Sequence, residues 1–159
     1  MDKTEHDPKT YTSKGYIDLE DNVAFKRIVD ACYCFGLNHK GYRKAMARHP
    51  VEKDKVLWFP KLYEGKSWQT DISWKNDISD DGKIITEKCK KNNPEFVKAS
   101  LSRPENFKRI VFAAVKDPSG PILYCFKGLF EINEEKSRDA QAIIYERTGT
   151  RVKTYSARQ

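Results

Sequence analysis

The chain has 159 residues, about the length of one domain, which is enough to bury one hydrophobic core of ordinary size. Eight Phe, eight Tyr and three Trp exclude a disordered chain, and no apolar run approaches the roughly 20 residues that span a bilayer. The 30 basic residues outnumber the 23 acidic ones, so the net charge is +7 and the first expectation is a polyanionic partner.

The N-terminal part is predicted to be an arm followed by helices. Residues 1–17 are polar and show no period, which indicates a flexible arm. In residues 18–32 the apolar side chains recur at helical spacing and acidic residues gather at the start, which predicts an amphipathic helix. A shorter helix with a strongly basic face is predicted over residues 41–48, because Pro50 then ends it.

Strands are predicted after residue 54. Residues 56–63 are rich in β-forming side chains. The Asp-Asp-Gly sequence of residues 80–82 suits the positive φ of a hairpin turn, and residues 84–87 are predicted to be its return strand. A short helix is predicted to follow over residues 94–101.

The C-terminal third has the most regular pattern. Residues 109–116 and 122–132 are apolar at nearly every position and flank a turn sequence, which predicts a β-hairpin covered on both faces. Residues 141–147 are compatible with a helix or a strand. A strand is favoured, because residues 148–150 then turn the chain into a further strand at residues 151–155. Since no repeat or linker interrupts the chain, the sequence predicts a single α+β domain over residues 18–159.

Metal and cofactor sites have little support in the sequence. Cys32, Cys34, Cys89 and Cys125 do not have the spacing of a zinc site. They are predicted to be reduced thiols of a cytoplasmic protein, because no secretory signal precedes them. Phosphate-binding glycine loops and nucleophile elbows are missing as well, so no cofactor and no membrane partner are predicted.

One pattern is compatible with a Mg²⁺-dependent nuclease. Asp54 is followed by Glu64 and Lys66, and an Asp and a Glu can share Mg²⁺ while a Lys steadies the attacked phosphate. Gly65 predicts a turn where such a site needs a strand. Nuclease chemistry therefore stays an alternative, and a function without catalysis is favoured.

Aromatic residues interleaved with lysines give the strongest functional signal. A base turned out of its stack can be held against aromatic faces while lysines pair with the phosphates outside. At least half of the rings in this part of the chain are expected to belong to the core instead. The residues of this predicted nucleic-acid site are Trp58, Tyr63, Trp68, Trp74 and Lys61.

A second group of predicted nucleic-acid contacts is basic. Gly41 frees the backbone beside a small cluster of donors, as a phosphate-binding turn requires, although an ordinary corner between helices has the same composition. His39 and His49 are both candidates for a phosphate contact. The predicted contacts of this group are His39, Lys40, Arg43 and Lys44, with Arg151 in a basic strip near the C-terminus.

The order of elements resembles that of the PUA-like group, whose small β-barrel modules include readers of modified bases attached to restriction and defence proteins. The segments that carry the resemblance are Trp58-Phe59-Pro60, the Asp-Asp-Gly hairpin at residues 80–82, Arg109–Asp117 and Tyr124–Phe130. Together they cover about residues 55–155. The resemblance implies N-terminal helices followed by a small, strongly curved antiparallel or mixed sheet or barrel.

The same resemblance implies a pocket at one end of the sheet with an aromatic cage for a flipped base. The cage would draw on Trp58, Tyr63, Trp68 or Trp74. The implied phosphate contacts are Lys61, Arg43, Lys44 and Arg151.

The function predicted from the sequence is a nucleic-acid-binding module, with DNA favoured over RNA. It would act as a modified-base reader or a DNA-targeting domain of a bacterial or phage defence system. Two alternatives stay open: a protein-interaction factor such as an inhibitor encoded by a mobile element, and the Mg²⁺-dependent nuclease described above.

Overall fold

The structure, a computed structural model, describes residues 6–37, 45–62, 74–103, 106–116 and 120–156. Four helices lie among them: α1 (Pro8–Lys14), α2 (Ile28–Tyr33), α3 (Asn93–Leu101) and α4 (Glu134–Ala140), with a 3-10 helix at Leu19–Asp21. The strands are β1 (Tyr16–Asp18), β2 (Ala24–Phe25), β3 (Met46–Arg48), β4 (Lys55–Trp58), β5 (Trp74–Ile78), β6 (Ile84–Cys89), β7 (Lys108–Lys116), β8 (Ile122–Ile132), β9 (Ile143–Gly149) and β10 (Arg151–Lys153).

One large mixed sheet dominates the fold. Its strand order is β3-β4-β7-β8-β9-β6-β5, and β2 pairs with the first half of β8. Strands β4 and β7 are parallel, whereas the other neighbours are antiparallel. Within the described residues β3 and β5 end the sheet without pairing to each other, so the sheet is open and the barrel expected as one alternative does not form. Strands β1 and β10 form a separate two-stranded sheet.

The two faces of the large sheet cover two different cores. Side chains of successive strand residues point to opposite faces. The first core takes Leu57 and Ile110 and packs against α1 and α2. The second core takes Trp58 and Val111 and packs against Val97 of α3. The sheet therefore lies between the N-terminal helices on one side and α3 on the other.

The strongest sequence patterns are confirmed. The predicted hairpin forms as β7 and β8, and the helix predicted over residues 94–101 forms as α3, with a proline in its first turn. Strands β5 and β6 form the hairpin predicted around Gly82, whose φ is 74°. Strand β9 confirms that the segment at residues 141–147 is a strand rather than a helix, although the strand begins at Ile143.

The helix predicted over residues 18–32 is wrong over most of its length. Asn22 adopts a left-handed conformation with φ of 49° and ends the 3-10 helix. Phe25 then lies in β2, paired with Tyr124 of β8, and only residues 28–33 are α-helical. The apolar side chains that suggested one helical face are instead shared between a strand and a short helix.

The helix predicted over residues 41–48 is also wrong where the structure describes it. Met46–Arg48 form β3, whose Ala47 pairs with Leu57 and is buried. Pairing with the apolar β4 outweighs the weak helical period of this stretch. Residues 41–44 lie outside the described residues.

Part of the segment predicted as an arm carries regular structure. Asp7 caps α1 by accepting a hydrogen bond from the backbone N–H of Lys9, and Tyr11 belongs to the first core. Tyr16–Asp18 pair with β10. The four cysteines are free thiols, and no helix in the described parts of the chain could cross a membrane.

Candidate base-binding pocket

A cavity of about 380 Å³ opens between α3 and the face of the sheet that carries the second core. Residues after β4 form one side of it, and Phe96 and Ser100 of α3 form another. Its remaining wall consists of polar and aromatic residues on β5, β6, β7 and β9. We call this cavity the Glu87 pocket and define it by Trp58, Asn76, Glu87, Arg109 and Tyr145.

One wall of the Glu87 pocket combines two aromatic rings with a guanidinium group. The rings of Trp58 and Tyr145 lie 4.9 Å apart between centroids, and they are 4% and 1% exposed. The guanidinium of Arg109 lies 4.5 Å from the centroid of Trp58 and 4.6 Å from that of Tyr145. Since both rings are packed in the core, this wall is fixed before any ligand arrives.

A cluster of hydrogen-bonding groups lies beside this wall. Asn76 of β5 and Glu87 of β6 are direct cross-strand partners, and β9 brings Tyr145 alongside them. The Tyr145 hydroxyl donates to Glu87 Oε1 at 3.2 Å, and the Asn76 side chain hydrogen-bonds to the same carboxyl group. The Asn76 Oδ1 atom is buried and has no partner among the described residues. A buried acceptor without a donor costs free energy, so this atom favours a ligand that brings an N–H or O–H group.

Burial favours the protonated form of Glu87. Loss of solvent raises the pKa of its carboxyl group, while Arg109 and the donors Tyr145 and Asn76 lower it to a smaller extent. Burial also raises the pKa of Tyr145, so its hydroxyl stays a donor. A protonated carboxyl group presents a donor next to an acceptor, and the pocket can therefore pair with a ligand edge of the opposite pattern.

The rim of the Glu87 pocket is basic. Lys61 and Arg103 are exposed and line the opening, and Met46 beside them is 37% exposed. A recess of about 50 Å³ continues from the pocket past Arg103, Arg109 and Asn106. The arrangement places cations outside and a carboxyl group inside.

A larger cavity of about 490 Å³ lies between α3 and α4. It is lined by Val97 and Leu101 together with exposed cations such as Lys98 and Arg138. No described side chain there is a buried polar group without a partner. The Glu87 pocket is smaller, but of these two cavities it is the one that combines a pair of packed aromatic rings with a buried acceptor that has no described partner.

The structure places only some of the predicted nucleic-acid site. Trp58 and Lys61 line the Glu87 pocket. Trp74 begins β5 two residues before Asn76, and its side chain is outside the description. The other predicted nucleic-acid contacts of these two groups lie outside the described residues: Tyr63, Trp68, His39, Lys40, Arg43 and Lys44.

Arg151 belongs to a different part of the molecule. It lies on β10, donates to Asp18 at 2.9 Å and stacks 4.0 Å from the centroid of Tyr16. None of these residues lines the Glu87 pocket. Any contact of Arg151 with a phosphate would therefore be made by the two-stranded sheet.

His49, which was a candidate for a phosphate contact, is an interior residue. Its Nδ1 atom accepts hydrogen bonds from the backbone N–H groups of Val51 and Glu52, and its side chain is fully buried. Burial lowers the pKa of the imidazole, so the ring is neutral. A neutral buried ring cannot act as a cationic phosphate ligand.

Of the three residues of the nuclease alternative, the structure describes only Asp54. This residue is exposed, and its carboxylate lies 3.3 Å from the Lys55 ammonium and 3.7 Å from that of Lys108. Glu64 and Lys66 lie outside the described residues. Among those that are described, no group of three His, Cys, Asp or Glu side chains could hold a metal ion.

Sequence reasoning missed four of the five residues that define the pocket: Asn76, Glu87, Arg109 and Tyr145. One signal was present. Strand alternation places Glu87 on the same face as the fully buried Ile85, and a carboxyl group on an apolar face is unusual. The pairing with Asn76 and Tyr145 depends on strand register, which the sequence does not display.

Comparisons with known proteins agree on one family. The family model of the SRA domain, the SET and RING associated domain, matches residues 10–154. Among solved structures the chain is similar to "The 5-Hydroxymethylcytosine-Specific Restriction Enzyme AbaSI", with 37% sequence identity and a TM-score of 0.79. This match covers 98% of the chain and 47% of that structure, so the chain spans about half the length of the enzyme. No curated protein matches the chain.

Proposed function

Since the chain belongs to the SRA family, we propose that it reads 5-hydroxymethylcytosine in DNA by holding the extruded base in the Glu87 pocket. SRA domains are PUA-like DNA-binding modules that read modified cytosine, which confirms the predicted resemblance and the predicted DNA-binding reader function. The finer assignments that follow, to a base, a substituent and named residues, are the proposal.

The observation that carries the proposal is the paired edge of Glu87 and Asn76. Cytosine presents an N4 amino donor beside the N3 acceptor. A protonated Glu87 carboxyl group can accept from N4 and donate to N3, and the partnerless Asn76 Oδ1 can accept the second N4 proton. Thymine would instead place its O4 acceptor against Asn76 Oδ1 and leave both acceptors unsatisfied. The pocket therefore favours cytosine over thymine.

The hydroxymethyl group is assigned from the same geometry and from the related enzyme. The substituent at C5 is the neighbour of N4 on the ring, so a hydroxyl there lies within reach of acceptors that receive N4. A methyl group has no donor to offer them. The similarity to an enzyme described as specific for 5-hydroxymethylcytosine, over nearly the whole chain, supports this choice.

The base must leave the duplex to reach these groups. Glu87 and Asn76 lie inside a cavity between α3 and the sheet, and the Watson–Crick edge of a paired base is already occupied by its partner.

A restriction system is the proposed setting. The solved structure with which the chain shares 37% identity is a restriction enzyme, and a reader would supply the targeting step in such a system. Cleavage by this chain is not part of the proposal, because the match covers 47% of that enzyme. The protein-interaction and nuclease alternatives stay predictions.

The test is a titration of fluorescent duplexes that differ only at one central cytosine: unmodified, methylated or hydroxymethylated. We expect the parent chain to prefer the hydroxymethylated duplex, and Glu87→Ala to weaken that binding by about tenfold or more. Glu87→Gln should retain the preference, because an amide presents the same donor and acceptor as a protonated carboxyl group.

A matched control is Glu134→Gln on α4, since Glu134 is exposed and, among the described residues, forms an ion pair with Arg138 at 3.7 Å. It should bind like the parent. Equal binding of all three duplexes by the parent would refute the proposed specificity. Loss of binding in Glu87→Gln as severe as in Glu87→Ala would show that the ionised carboxylate, rather than the protonated form, reads the base.

A further inference from the structure

Among the described residues, the guanidinium of Arg109 contacts aromatic rings and no hydrogen-bond acceptor. Its Cζ atom lies 4.5 and 4.6 Å from the ring centroids of Trp58 and Tyr145. A cation–π contact leaves the N–H donors of an arginine available for hydrogen bonds. No hydrogen bond or ion pair of Arg109 is found in the described part of the chain, so a half-buried, oriented fork of donors faces the pocket.

A second guanidinium lies on the same side of the pocket. Arg103 is exposed, lines both the pocket and its recess together with Arg109, and likewise has no ion pair or hydrogen bond to described residues. Asn106 lines the recess between them. The recess of about 50 Å³ has room for one water molecule or for the oxygen atoms of a small oxyanion.

We propose that Arg109 and Arg103 form an oxyanion site that binds a backbone phosphate of the extruded nucleotide and thereby positions its base against Glu87. This site rests on the proposed function, because it needs a nucleotide in the pocket. Arg109 acts as a positioning residue. The rings of Trp58 and Tyr145 hold its guanidinium in place, and the guanidinium fixes where the phosphate lies.

The distribution of charge favours a phosphate over an anion on the base. An extruded nucleotide stays joined to the strand at both ends, so its phosphates remain at the pocket opening while its base enters. The exposed cations Lys61 and Arg103 are at the opening, and the carboxyl group of Glu87 is inside. An anionic substituent on the base would be brought towards Glu87, whereas a phosphate at the rim lies beside the exposed cations Lys61 and Arg103.

The experiment is a double-mutant cycle between Arg109 and the phosphates. Duplexes carry one hydroxymethylated cytosine and a neutral methylphosphonate at one linkage, either directly flanking that cytosine or several steps away. Binding is measured for the parent chain and for Arg109→Gln. We expect each change alone, variant or flanking methylphosphonate, to weaken binding by about tenfold, and the two together to weaken it no further.

Controls separate this site from general loss of charge. Arg138→Gln on α4 makes the same charge change at an exposed cation, and its effect should add to that of the methylphosphonate. Arg109→Lys keeps the charge without the fork and should recover part of the lost affinity. Arg109→Lys also serves as the test variant if Arg109→Gln does not fold. In that case the coupling free energy between the substitution and the flanking methylphosphonate is expected to be smaller but still present.

Full additivity of Arg109→Gln with every methylphosphonate would overturn the phosphate assignment. So would a preference of the parent for 5-carboxylcytosine that vanishes in Arg109→Gln while the flanking methylphosphonates have no effect. The same titrations include the unmodified duplex, so failure of the proposed function shows separately as an absence of preference for the hydroxymethylated base.

Discussion

Glu87 is a carboxyl group that the fold buries among hydrogen-bond donors, and its titration must affect stability. Burial raises the pKa of Glu87 above its usual value, so the folded state holds this proton more tightly than the unfolded state. This tighter binding of the proton contributes to the free energy of unfolding. The contribution is complete below the usual carboxyl pKa and is lost as pH rises through the raised pKa of Glu87. Each unit of difference between the pKa values of the folded and unfolded states corresponds to about 1.4 kcal/mol of stability.

We therefore expect Glu87→Gln to be more stable than the parent at about pH 8, with the difference shrinking towards about pH 4. An amide has no proton to lose and fills the same space. Urea denaturation across this range checks the prediction, with Glu134→Gln as the exposed control. Parallel stability curves for the parent and Glu87→Gln would show that the pKa of Glu87 is not raised in the folded protein.

Trp58 is both a pocket wall and a core residue, and the second role limits its use as a probe of stacking. It is 4% exposed and packs against Tyr145 and Arg109. Truncation to Ala is expected to lower the free energy of unfolding by about 3–5 kcal/mol. Trp58→Phe keeps a ring and should lose less than half of that, as measured by urea denaturation. Similar stabilities of Trp58→Ala and the parent would place this ring outside the core.

At the scale of elements, the close crossing of β8 and β9 depends on Gly128. Its φ is 113°, and a Cβ there would lie 2.7 Å from the carbonyl oxygen of Gly149 and 2.7 Å from Cδ of Arg147. The pairing of β8 is also irregular in this region. Its register with β9 shifts between Leu129 and Phe130, and its register with β7 shifts between Val111, the partner of Gly128, and Phe112. Such irregularities bend strands, and glycine permits the close approach.

Gly128→Ala is expected to destabilise the protein by more than the roughly 1–2 kcal/mol of a positive φ alone. Gly15→Ala is the matched control, because Gly15 has a φ of 91° and no atom within 4 Å of the added Cβ. Urea midpoints of the two variants measure the difference. Equal losses would mean that the contact with Gly149 relaxes without cost.

Elements defined by local sequence were predictable, and those defined by pairing were not. The β7–β8 hairpin and α3 carry dense apolar patterns with turn or proline signals at their ends. In residues 18–32 the apolar set has helical spacing, yet Phe25 gains more by pairing with Tyr124 on β8. That strand is about 100 residues distant in sequence, so no local pattern reveals the competition.

The pocket was harder to predict for the same reason. Asn76, Glu87 and Tyr145 meet because β5, β6 and β9 are neighbours in the sheet, with registers that pair Asn76 to Glu87 and Glu87 to Ile143. Aromatic and basic composition did point to a nucleic-acid site near Trp58 and Lys61, which the cavity includes. Composition identifies the kind of ligand, whereas register determines which hydrogen-bonding groups meet it.

At the scale of the whole molecule, the large sheet lies between the Glu87 pocket and the larger of the two hydrophobic cores. The first core, with Phe25, Phe35 and Phe112, lies on the face opposite the Glu87 pocket. The net charge of +7 attracts DNA of any sequence. On the proposed function, most of the affinity for DNA would come from cations outside the Glu87 pocket, and the preference for a modified base would come from the groups inside it.

This separation predicts how salt acts on binding. The logarithm of the association constant should fall linearly with the logarithm of salt concentration, by about 0.9 for each phosphate that the protein neutralises. The ratio of affinities for hydroxymethylated and unmodified duplexes should stay constant, because a protonated Glu87 and Asn76 read the base without a net charge. Fluorescence anisotropy at several salt concentrations measures both quantities. A ratio that falls as salt rises would mean that a charged group of the pocket, either an ionised Glu87 or Arg109, discriminates between the bases.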